Sequence, residues 1–134
     1  MAPPPNAAKV AAYSSVSTHG GVAAADPHRL VLMLMDGALE RLAIAQGCME
    51  RNDIGGKAQL INRAIQIIGE LRGSLDMGKG AEIAANLDAL YDYMCRRLLQ
   101  ASLKNDVGMV QEVSNLLREL RGAWTQVPKD GAPK

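Results

Sequence analysis

Asp26-Pro27-His28-Arg29-Leu30-Val31-Leu32-Met33-Leu34-Met35-Asp36-Gly37-Ala38-Leu39 is the stretch on which the fold turns. Asp26 is placed to accept from the orphan N–H groups of a helix start, and Pro27 stands where a missing N–H costs nothing. Six consecutive apolar residues then run from Leu30 to Met35. They point around most of a helical cylinder, whereas a single packed face needs only a stripe. Such a helix is either surrounded by other helices or offers part of its surface to something outside the chain.

Downstream of this start, Val31, Met35, Ala38, Leu42, Ala45 and Met49 alternate steps of four and three, the seam of a left-handed bundle. The first helix is therefore expected over about 27–51, broken by Asn52-Asp53-Ile54-Gly55-Gly56. A second, about 57–75, carries Ile61, Ala64, Ile68, Leu71 and Leu75. A third, about 81–104, carries Ala84, Leu87, Tyr91, Met94, Leu98 and Ala101. A fourth, about 107–126, has Met109, Val113, Leu116, Leu120 and Ala123 as its expected seam, with a second row of Val110, Leu117 and Trp124. Connections this short force antiparallel neighbours. The expectation is an all-α, antiparallel up-down-up-down four-helix bundle over residues 26–127.

Residues 1–25 are rich in Pro, Ala, Ser and Gly and read as a mobile N-terminal arm. Tyr13, Val16 and Val22 are its candidates for docking on the bundle. Residues 128–134 read as a flexible polar tail.

Composition removes several functions. A net charge of +1 gives no electrostatic case for nucleic acid or an acidic membrane surface. The longest apolar run falls far short of the ~20 residues a membrane span needs. No basic region followed by an apolar core marks a secretory signal. Cys48 and Cys95 lie within helical patterns and read as reduced, packed thiols.

Catalytic patterns fail on their own requirements. Gly73-Ser74-Leu75-Asp76-Met77-Gly78-Lys79-Gly80 approaches a phosphate-binding loop. However, Gly80 stands where Ser or Thr must hold Mg²⁺, and a helix rather than a strand precedes it. A di-metal bundle centre needs Glu-x-x-His pairs, and none exists. Asp88 and Asp92 share a face, but an i,i+4 pair with Arg96 accounts better for Asp92. His28 reads as a solvated first-turn residue. No catalytic residue, metal ligand or cofactor is expected.

What remains is surplus apolar surface. The candidates for it are Leu30, Met33 and Ile44 on the first helix, Leu60 and Ile67 on the second, Leu90, Leu99 and Leu103 on the third, and Val110, Leu117 and Trp124 on the fourth. A contiguous set of such residues marks a binding surface, and grooves between helices suit an amphipathic partner.

The opening stretch resembles the signature of the flagellar secretion chaperone FliS family. So do Asn86-Leu87-Asp88-Ala89-Leu90-Tyr91-Asp92-Tyr93-Met94-Cys95-Arg96-Arg97-Leu98, Ser74-Leu75-Asp76-Met77, Asn105-Asp106 and Leu116-Leu117-Arg118-Glu119-Leu120-Arg121-Gly122-Ala123-Trp124. The resemblance implies a cytoplasmic chaperone that binds the disordered C-terminal segment of flagellin, blocks premature polymerisation and assists delivery to the flagellar type III export gate. It also implies that the N-terminal arm can lie on the bundle and compete with the client. Met35 departs from the Tyr usual in the family, and the arm between Tyr13 and Val22 is longer than usual. The alternative, from the residues alone, is a structural bundle whose apolar rows form a weak homodimer.

Overall fold

The computed structural model describes residues 26–127 other than 77 and 79. The arm residues Tyr13, Val16 and Val22, and the tail after Val127, lie outside the described residues. Four helices follow in order: α1, Pro27–Glu50; α2, Ile54–Gly73; α3, Ala81–Lys104; and α4, Val107–Thr125. Each packs against its chain neighbours and α4 closes against α1, so the helices form a ring around one core. The up-down-up-down bundle is present, and no strand occurs among the described residues.

Local chemistry sets the helix ends. Asp26 accepts from the Arg29 N–H at 3.0 Å with Pro27 in the first turn, and Asp106 accepts from Met109 N–H at 3.3 Å. α2 begins earlier than expected, at Ile54, because Asp53 caps it by accepting from Gly56 N–H at 3.0 Å. Gly55 and Gly56 are therefore helical rather than helix breakers. Gly56 is needed for proximity: a Cβ there would lie 2.9 Å from Cys48 Sγ on α1. Asn105 adopts a left-handed φ of 50° to end α3. Its amide donates to the Met49 carbonyl at 3.4 Å and its oxygen accepts from Lys57 Nζ at 3.3 Å. The buried Lys57 ammonium thus sits beside the C-terminal ends of α1 and α3, where helix dipoles favour a cation.

The expected seams of α1 and α2 are buried at every position, and that of α3 at every position except the half-buried Leu87. Met35, the departure from Tyr, is enclosed in this core, so its apolar body serves as packing. α4 is rotated relative to expectation. Val110, Val113, Leu117 and Trp124 are buried, Met109, Leu116 and Leu120 only half-buried, and Ala123 exposed. α4's flanks fit this rotation. Glu112 reaches Arg97 on α3 at 2.8 Å, and Arg121 reaches Asp36 on α1. The stripe between those two edges must face inward.

His28 is also corrected: it is buried, not solvated. Its Nε2 lies 3.0 Å from the Trp124 carbonyl oxygen, so that nitrogen carries a proton. The Trp124 indole N–H donates to the His28 carbonyl at 2.8 Å, and the rings stack with centroids 5.0 Å apart. This reciprocal clasp joins the start of α1 to the end of α4.

Candidate functional site

Of the eleven residues assigned to an outward apolar row, the structure places four in the core. Ile67, Val110, Leu117 and Trp124 are buried, and their assignment to the surface is corrected. The three on α4 follow its rotation. Ile67 is covered because it leans over Gly37 of α1, where its Cδ1 lies 3.6 Å from the position a Cβ would take.

The other seven reach the surface. Met33 is 57% exposed, Ile44 49%, Leu99 51% and Leu103 87%, while Leu30, Leu60 and Leu90 are half-buried against the core. Ile54, at the start of α2 and 70% exposed, belongs with them and was not singled out from the sequence. The sequence places it in a helix break.

These residues are spread over several faces. Met33 and Leu32 line a hollow of about 310 Å³ between α1 and α4, rimmed by His28, Arg29, Asp36 and Arg121. Leu60 lines another of about 460 Å³ beside α1, with Arg41, Gln59, Asn62, Arg63 and Gln66. Leu99 and Leu103 stand one helical turn apart on the flank of α3 toward α2. The α2–α3 register is set by Arg72 on Asp88 at 2.6 Å and by Lys57 on Asn105. It puts Leu103 near the α2 start and so on the side of Ile54.

Ion pairs bridge three of the four inter-helix grooves. Arg72 holds both Asp88 and Asp92 across α2–α3, and Arg96 holds Asp92 at 2.9 Å as the i,i+4 spacing predicts. The hydrogen bond from Arg96, helped by Arg72, holds the Asp92 carboxyl below the usual carboxylate range. Across α3–α4, Glu112 accepts from Tyr93 and then Arg97, which lowers its pKa and raises that of Tyr93. Arg121 with Asp36 bridges α1–α4. Between α1 and α2 no ion pair forms among the described residues.

Reactive groups do not converge. Burial pushes the Cys95 thiol up, away from the thiolate that makes a nucleophile. Cys48 is enclosed, and both cysteines are free thiols. The Gly73–Gly80 stretch starts at a helix C-terminus, as the sequence required for rejecting a phosphate loop. No three metal-ligating side chains gather among the described residues, and none of the described helices is long and apolar enough to cross a membrane. The arrangement can bind apolar chain in grooves edged by charge.

A family model described as flagellar protein FliS matches residues 9–131. The chain belongs to the FliS family. It is similar to the flagellar secretion chaperone FliSB of Pseudomonas aeruginosa, 51% identical over 112 residues, which cover 84% of this chain and 89% of that protein. It is 45% identical over 122 residues to the flagellar secretion chaperone FliS of Salmonella typhimurium, covering 90% of each. The FliS of Bacillus subtilis is 40% identical over 102 residues, or 76% of this chain and 75% of its own. The signature stretches quoted from the sequence thus occupy defined places in a FliS-family bundle. The opening stretch forms the first half of α1, with Val31, Met35 and Ala38 in the buried seam, and Asn105-Asp106 forms the turn between α3 and α4.

Proposed function

We propose that this protein is an export chaperone acting by binding rather than by catalysis. Its client is the C-terminal segment of flagellin, which it covers in the cytoplasm, keeps from polymerising and helps deliver to the flagellar type III export apparatus. The observation that carries this reading is large apolar side chains left on the outside of an already closed core. Met33, Ile44, Ile54, Leu99 and Leu103 are exposed on three helices. A segment wrapping the bundle reaches them all, whereas a compact partner meets one face.

The energetics suit reversible capture. Burying a large aliphatic side chain contributes about 1.5–3 kcal/mol when it goes from fully exposed to fully buried. Half-exposed anchors contribute less, so five of them supply roughly 5–10 kcal/mol gross, which the half-buried Leu30, Leu60 and Leu90 extend. Ordering a disordered client costs about 2–5 kcal/mol of that.

Titration of the purified protein with a peptide of the flagellin C-terminal segment tests the reading, with light scattering to give the mass of each species. A one-to-one complex is expected. Replacing Met33, Ile44, Leu99 and Leu103 together by Ser should weaken it at least tenfold while circular dichroism keeps its helical signal. A stable homodimer that ignores the peptide would instead establish the apolar rows as a self-association surface.

A further inference from the structure

The α1–α2 groove differs from the other three in its charge. Gly37 lies opposite Ile67, and Cys48 opposite Gly56, which sets the antiparallel register of these two helices. In that register Arg41 stands level with Arg63, and Ile44 level with Leu60 one turn along. Two arginines therefore stand on one groove. Neither reaches a carboxylate among the described residues: Arg41 Nη1 donates to the Gly37 carbonyl of its own helix at 3.2 Å, and Arg63 Nη1 to the Gln66 side-chain oxygen at 3.1 Å. Both line the hollow of about 460 Å³ whose apolar wall is Leu60.

Two guanidinium groups on one hollow favour an anion that accepts from both forks. The amides of Gln59 and Asn62 on the same rim add donors. Residues 1–25 contain no Asp or Glu.

We propose that Arg41 and Arg63 form a two-arginine clamp for a side-chain carboxylate of the client, one turn from client apolar residues seated on Ile44 and Leu60. This rests on the chaperone reading above and assigns it a register: apolar burial holds the segment, and one acidic residue decides where along the groove it settles.

Fluorescence anisotropy with a labelled flagellin C-terminal peptide tests this. A second peptide has its Asp and Glu replaced by Asn and Gln, and the protein is used as wild type, Arg41→Gln, Arg63→Gln and the double variant. Circular dichroism confirms that each is folded. At about 50 mM salt the double variant should bind the acidic peptide about tenfold more weakly, and the loss should shrink at about 500 mM. The neutral peptide should bind wild type and double variant alike. Unchanged affinity in the double variant, or an equal loss with both peptides, overturns the clamp while leaving the chaperone reading in place. Failure of the wild type to bind either peptide overturns both.

Discussion

Single residues of similar composition carry opposite duties in this bundle, and stability measurements separate them. Leu117 is enclosed, so Leu117→Ala should lower unfolding free energy by about 2–5 kcal/mol in urea denaturation, and Leu117→Asp should abolish the folded helical signal. Leu103 is almost fully exposed, and Leu103→Ser should change stability by less than about 0.5 kcal/mol. A similar cost at both positions would contradict the burial pattern. Glu112 provides a pH test. Its folded pKa is depressed by the Tyr93 and Arg97 hydrogen bonds, so its contribution is present above the ordinary carboxylate pKa and disappears as pH falls through the lower folded value. Glu112→Gln should be less stable than wild type at pH 7, with the difference closing below about pH 4. Urea midpoints that stay parallel down to pH 3 would rule this out.

At the level of elements, the ends of the helices are tied by specific polar contacts while their middles are apolar. The His28–Trp124 clasp is such a tie. Trp124→Phe keeps an aromatic ring beside His28 but removes the indole donor, so the His28 carbonyl loses its hydrogen bond to α4. A cost of about 1–2 kcal/mol is expected, together with faster amide exchange in the first turn of α1 than in its middle. Uniform acceleration along α1 would mean that the clasp is not a local fastening. The same element view explains the rotation of α4. By periodicity alone the Met109–Ala123 row is the seam, and Val110, Leu117 and Trp124 form a second row recurring every seven residues. Pairing of Glu112 with α3 and Arg121 with α1 selects the row that contains Leu117, and only that row brings Trp124 over His28.

For the whole molecule, the ring of helices leaves four grooves, and their differences follow from which charges the neighbouring helices bring together. Arg72, Arg97 and Arg121 each find a carboxylate across their groove, whereas Arg41 and Arg63 line one hollow and each donates within its own helix. The helix count, their bounds within a few residues, the antiparallel order and the seams of α1 to α3 were all legible beforehand. They depend on local caps and on the heptad spacing, which a linear sequence carries in full. The family, too, was legible from the signature stretches. The surface was only partly so. Met33, Ile44, Leu99 and Leu103 are exposed as expected, but Ile67, Val110, Leu117 and Trp124 are not, and the exposed Ile54 lies outside every row that periodicity marks. Periodicity states which residues share a face of one helix; it does not state how far that helix is turned about its own axis. That angle is set by contacts between residues far apart in the chain: Ile67 over Gly37, Trp124 on His28, Arg121 on Asp36. The sequence by itself determined a four-helix bundle with more apolar surface than its core consumes. Only the tertiary structure decided which apolar residues are left outside, because burial depends on the neighbour that arrives and not on the residue alone.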